Sequence, residues 1–115
     1  LVLSSDYEGV PAAVVESLAA GRPVAATDCC VSMRWLLQDG VFGALAPVGD
    51  AAALGAAMER AAAMPVNPAE MQRFSALFTL GKAAPGYLAA LQALVDGGLH
   101  RPAGEGNLGD GIAPC

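Results

Sequence analysis

Two glutamates stand eight positions apart in Glu8-Gly9-Val10-Pro11-Ala12-Ala13-Val14-Val15-Glu16. The first lies in a Gly/Pro turn, the second in a run of strong helix formers. A carboxylate that accepts from two vicinal hydroxyls is a firm polar anchor, because hydrogen bonds to an ionised group are the stronger kind. A helix that starts just after a strand offers unpaired N–H groups and the positive end of its dipole, which together attract anions. At about 1.5 Å per residue, Glu16 falls roughly 7–8 Å along that helix, so the second carboxylate sits beside the first. A sugar and a ribose on either side of a diphosphate have about this spread. Spacing alone also fits, more simply, a solvated turn glutamate and a solvated helix glutamate.

The elements around these residues read as alternating strands and helices. Leu1 to Ser5 is a short apolar run with a polar end, as expected of a buried parallel strand. Asp6 to Val10 is a turn in which Gly9 is free to take φ > 0. Pro11 suits the first helical position, Ala12 to Ala20 the helix, and Gly21 its stop. Arg22-Pro23 leads into Val24 to Thr27, a second strand, and the β-turn-α-β unit is expected to close as a right-handed parallel crossover. Cys29 to Met33 reads as a loop, Arg34 to Gln38 as a helical turn ended by Asp39-Gly40, and Ala44 to Pro47 as an edge-like strand. Asp50 N-caps a helix over Ala51 to Met64. Asn67-Pro68 opens another, carrying Met71, Phe74, Leu77 and Phe78 at helical spacing, which Gly81 breaks. A last helix spans Lys82 to Val95, with a stripe of Tyr87, Leu88, Leu91, Leu94 and Val95. The fold class is α/β: the second half of a doubly wound parallel sheet followed by C-terminal helices. A domain over residues 1–95 precedes a tail, 96–115, which from Gly97 onward is Gly/Pro-rich and reads as disordered. Because the chain opens inside a strand and without Met, the start of the fold is expected upstream of Leu1.

Composition narrows the function classes. The chain of 115 residues suffices for one small domain. A net charge of −5 with six Lys and Arg argues against a nucleic-acid partner and against a polybasic membrane anchor. No apolar run reaches the roughly 20 residues of a membrane-spanning helix, and no signal peptide is visible. Hydrophobic residues make up 55%, but alanine leads them and aromatics are 5%, so the core side chains are small and marginal stability is expected without a partner surface. Cys29, Cys30 and Cys115 lack metal-ligand spacing and read as reduced thiols of a cytoplasmic protein. Ser4 and Ser5 have no His near them, which removes a hydrolase triad. There is no P-loop. His100 reads as a solvated tail residue, Arg22 as a surface charge, and Trp35 and Tyr87 as packing residues.

The run from Glu8-Gly9-Val10-Pro11 through Glu16-Ser17-Leu18-Ala19-Ala20-Gly21-Arg22-Pro23 to Val24-Ala25-Ala26-Thr27-Asp28 resembles the E-x7-E region of family 4 (GT4) of the retaining glycosyltransferases. Gly40…Gly43-Ala44-Leu45-Ala46-Pro47-Val48-Gly49-Asp50 is similar to the G-x-x-G-x-L-V-P-x-G-D segment of that family. The resemblance covers residues 1 to about 64 well and 65–95 in outline. It implies the GT-B fold, two Rossmann-like domains facing a cleft, of which this chain would hold the last part of the donor-binding domain. It implies transfer, with retention, of a sugar from a nucleotide sugar, UDP by family preference, to an acceptor held by an N-terminal domain. Glu8 would bind hydroxyls of the transferred sugar. The backbone around Gly9, Val10, Pro11 and Ala12 would face the sugar and diphosphate, and Glu16 would bind the ribose. No cofactor and no metal are implied. The Arg and Lys that stabilise the departing diphosphate lie, in the family, earlier in the domain than Leu1. The isolated chain is therefore expected to lack turnover. The full-length protein is expected in the cytoplasm, with peripheral contact to the inner membrane face through the N-terminal domain.

One segment departs from the family pattern. Where related chains read roughly T-D-C-P-S-G-P-R-E-I-L, this one reads Thr27-Asp28-Cys29-Cys30-Val31-Ser32-Met33-Arg34-Trp35-Leu36-Leu37. Arg34 survives as a possible donor-site residue; the Gly and both prolines are lost, and Trp35 replaces the acid. A second reading is thus a non-catalytic or degenerate chain that binds a nucleotide sugar without turning it over. A third is an inert piece whose exposed edge at Leu1–Ser5 promotes aggregation.

Overall fold

The computed structural model describes residues 1–96, so the tail from Gly97 onward, His100 and Cys115 lie outside the described residues. The chain divides into two compact units, the first being Leu1–Ser75 and the second beginning at Ala76.

In the first unit, three strands form one parallel sheet in the order β1 (Val2–Leu3), β2 (Val24–Thr27), β3 (Gly43–Ala46). Val2 is paired with Ala25 in the β1–β2 register, and Val24 with Gly43 through Thr27 with Ala46 in the β2–β3 register. All four residues of β2 are buried, as a central parallel strand requires. β1 is shorter than the apolar run predicts. The Ser5 carbonyl accepts from the Thr27 hydroxyl at 2.5 Å, so the end of the run is tied by a side chain and not by the sheet ladder.

Helix α1 (Ala12–Ala19) follows β1. Its end matches the sequence signal: Gly21 has φ +66°, its N–H donates to the Leu18 carbonyl at 2.9 Å, and Arg22 N–H donates to the Ser17 carbonyl at 2.9 Å. This pair of bonds closes the last carbonyls of the helix. A Cβ on Gly21 would also lie 2.7 Å from the Pro68 Cβ, where α4 (Pro68–Ser75) begins. Pro11 stands one position earlier than expected. It is the extended N-cap (φ −72°, ψ 98°), and its carbonyl accepts from Val14 and Val15.

Helix α2 (Ser32–Leu36) starts two residues before the predicted turn, because Met33 N–H finds the Cys30 carbonyl at 3.1 Å. A 3-10 turn at Gln38–Gly40 follows, with Gln38 and Asp39 both left-handed. β3 opens at Gly43, one residue early, and there only glycine fits: a Cβ would meet the Val24 carbonyl oxygen at 2.1 Å. The Asp50 carboxylate accepts from Ala53 N–H at 2.8 Å and caps α3 (Ala51–Ala63). Met64 turns extended ahead of Pro65.

The core of this unit is built largely of small side chains. Ala25, Ala44, Ala46, Ala57 and Ala61 cluster between sheet and α3, with Ala53 and Leu54 packed on them. The largest fully buried side chains among the described residues are Leu18, Met33, Leu36, Leu37, Met71, Val14 and Val24, and Phe42 is nearly so. Alanine on both surfaces lets helix and sheet approach, while each contributes little apolar area.

The second unit holds a 3-10 turn, Ala76–Phe78, and α5 (Leu80–Val95). Gly81 does not break a helix as predicted; it sits in the first turn of α5, where Lys82 and Ala83 N–H both bond the Thr79 carbonyl. Pro85 also lies within α5. The Tyr87, Leu88, Leu91, Leu94 and Val95 side chains are exposed. Among the described residues, no helix is long and apolar enough to cross a membrane.

Candidate functional site

The β1–α1 turn is held from three sides by hydroxyl groups. Ser5 donates its hydroxyl to Glu8 Oε1 at 2.7 Å. Thr27, buried at the end of β2, fixes the Ser5 carbonyl as described above. Ser32, at the start of α2, donates to the Gly9 carbonyl at 3.0 Å. Neither the Ser5 nor the Ser32 contact was read from the sequence. A serine three residues before Glu8 in a turn was the one local signal available, whereas Ser32 lies 23 residues from Gly9.

Glu8 is half-buried, Gly9, Val10 and Ala12 are exposed, and Pro11 is buried. Gly9 is not among the glycines with positive φ, which are Gly21, Gly40 and Gly49, so the conformational freedom expected of it is not used. A Cβ at Gly9 would meet nothing within 4 Å, so the approach to the turn is open. Pro11 supplies no side-chain cap to α1, so among the described residues the start of that helix keeps its electropositive character. Glu16 is exposed on α1. It lies about 200° around the helix from both Val14 and Leu18, which are fully buried. Glu8 is thus oriented by a protein partner, while Glu16 projects to solvent.

Beside the turn, a shallow cavity of about 180 Å³ is lined by Ser4, Asp6, Thr27, Gly49 and Asp50, which follow or end the three strands, and by Leu54 of α3. The carboxyl ends of parallel strands are where α/β sheets bind ligands. A larger cleft of about 380 Å³ lies toward the start of β3, lined by Arg34, Asp39, Gly43, Arg60 and Met64. It includes neither glutamate.

The 28–37 segment has its own internal bonds. Arg34 donates to Asp28 Oδ2 at 2.5 Å, with the Arg34 side chain 69% exposed. The edge of Trp35 meets Phe74 of α4, ring centroids 5.2 Å apart, and Phe74 also packs on Phe42 at 5.6 Å. The residue that replaces an acid is therefore a packing group. Cys29 and Cys30 are free thiols, both half-buried, and Cys30 Sγ lies 3.2 Å from Ser32 Oγ. Burial raises the Cys29 thiol pKa; the neighbouring Cys30 adds to the rise, and a hydrogen bond with Thr27 opposes it.

The family model for group 1 glycosyl transferases matches residues 1–64, from β1 through the end of α3. That is more than half of the 115 residues, and the chain belongs to this glycosyltransferase family. No curated protein and no solved structure matches the chain.

Proposed function

We propose that the first unit is the donor-gripping part of a retaining glycosyltransferase of the GT4 type and GT-B fold, taking a UDP-sugar. Glu8 accepts from hydroxyls of the transferred sugar. The backbone of Gly9, Val10, Pro11 and Ala12 faces the sugar and diphosphate, and Glu16 accepts from the ribose. The parallel sheet then stands as the second half of a doubly wound, Rossmann-like domain, working without a metal or other cofactor. The acceptor domain and the cations that stabilise the departing diphosphate come from outside these 115 residues. Hexosyl transfer in the cytoplasm, with peripheral membrane contact through the acceptor domain, completes this reading.

The observation that carries it is the half-buried Glu8 carboxylate, held by Ser5 beside the uncapped start of α1. A carboxylate placed by a neighbour before ligand arrives loses less freedom on binding. The non-catalytic alternative draws on the 28–37 segment, where Arg34 is engaged by Asp28 and Trp35 by Phe74. Thermal melts with a panel of nucleotides and nucleotide sugars test the proposal. A ligand that binds the folded chain raises its midpoint, and UDP-sugars should do so most. A panel in which no nucleotide sugar moves the midpoint would contradict it.

A further inference from the structure

The adjacent thiols at the end of β2 have no part in the donor grip, yet they are wired to it. Cys30 Sγ touches the Ser32 hydroxyl at 3.2 Å, and that hydroxyl holds the Gly9 carbonyl at 3.0 Å. The Cys30 carbonyl accepts the Met33 N–H that starts α2. Cys29 and Cys30 are neighbours in the chain, both free and both half-buried.

We propose that Cys29 and Cys30 form a reversible dithiol modification site, closed to a disulfide by a low-molecular-weight disulfide, and that closure loosens the Glu8–Ala12 turn. In the first step a thiolate of the pair attacks the small disulfide. One mixed disulfide forms and one small thiol leaves. The second cysteine then attacks the mixed disulfide through its own thiolate, forms the Cys29–Cys30 bond and expels the second small thiol. The two protein sulfurs are oxidised, one small disulfide is reduced to two thiols, and the two cysteine protons end on those thiols.

Consecutive Cα atoms stand about 3.8 Å apart, below the usual 4.4–6.8 Å span of a disulfide. Closure must therefore distort the intervening peptide, and a bond strained in this way is readily reduced again. The distortion turns the Cys30 carbonyl away from the Met33 N–H that starts α2, and the resulting shift of Ser32 carries its hydroxyl away from the Gly9 carbonyl. The effect on donor rests on the proposed function; formation of the bond does not.

The test equilibrates the full chain with glutathione and glutathione disulfide, traps free thiols by alkylation, and maps the products by mass spectrometry. Hydrogen exchange at residues 8–13 and UDP-sugar binding are read on the same samples. The expected result is a peptide lacking two hydrogens with the bridge at Cys29–Cys30, faster exchange in the turn, and full reversal by dithiothreitol. C29S should stop at a glutathione adduct on Cys30, and C115S should behave as wild type. Two intact thiols, stable adducts on both cysteines, or a bridge to Cys115 would overturn the site. A closed bridge with unchanged exchange at residues 8–13 would overturn its control of the turn. If exchange responds but neither redox form binds UDP-sugar, the donor reading fails and the dithiol site stands.

Discussion

The Ser5 hydroxyl donates to Glu8 Oε1 at 2.7 Å, which orients one carboxylate of the pair before any ligand is present. Ser5 in turn has its carbonyl held by Thr27 from the adjacent strand, so the position of Glu8 depends on the sheet. Removal of the Ser5 hydroxyl should leave the fold intact, because the carbonyl bond remains. S5A is expected to weaken UDP-sugar binding by about 3- to 10-fold, the worth of roughly one hydrogen bond. Calorimetry beside a circular-dichroism melt separates this from loss of fold.

Gly43 is the most constrained glycine of the sheet. A methyl group there would overlap the Val24 carbonyl, a backbone atom that cannot swing aside. G43A must therefore separate β2 from β3. We expect a loss of about 3–5 kcal/mol, a large effect for one substitution. Urea unfolding measures it, and a midpoint within error of wild type would remove the close approach from the account.

Trp35 ties α2 to α4 through Phe74. It remains 38% exposed, so truncation should cost less than a fully buried aromatic would. W35A is expected to destabilise by about 1–3 kcal/mol, from lost ring contact and lost buried area. F74L should lose less, since it keeps most of the apolar volume. Paired denaturation curves check both, and the double variant should fall short of the sum because the two rings share one contact.

Cys29 carries a thiol pKa raised above its ordinary value of 9.0, chiefly by burial. Its alkylation by iodoacetamide should therefore stay slow until the pH passes the normal thiol range. The sign for stability follows by linkage. Below the unfolded thiol pKa both states are protonated and the contribution is whole; as pH rises from there through the higher folded pKa, the unfolded chain ionises first and stability falls. C29S should flatten that alkaline decline, as read by melts across the range.

Local signals carried most of the fold. The Asp50 cap, the Gly21 stop and the Val24–Thr27 strand each rest on a few neighbouring residues whose conformational demands are strong, and each stands where the sequence puts it. Gly81 misled because a glycine in the first turn of a helix costs little, and Thr79 supplies the carbonyl that helps start α5. The site was legible as residues but not as a network. Glu8 and Glu16 stand out by spacing, while the bonds from Thr27 to Ser5 and from Ser32 to Gly9 join positions 22 and 23 residues apart. Such contacts depend on how the strands register, and no local pattern encodes them. Trp35 reads as a packing residue in the sequence, but its partner Phe74 lies too far along the chain for any local pattern to name it.

The central claim is that Glu8 and Glu16 grip the two sugars of one nucleotide-sugar donor. Titration calorimetry of UDP-sugar and of UDP into wild type, E8Q and E16Q tests it most directly. The account predicts saturable binding by wild type, with UDP-sugar weakened about tenfold or more in each variant, because a hydrogen bond to an ionised group becomes one to a neutral amide. E16Q should weaken UDP and UDP-sugar alike, whereas E8Q should weaken UDP-sugar and leave UDP unchanged. No heat at millimolar ligand, or equal affinities across the three proteins, would contradict it.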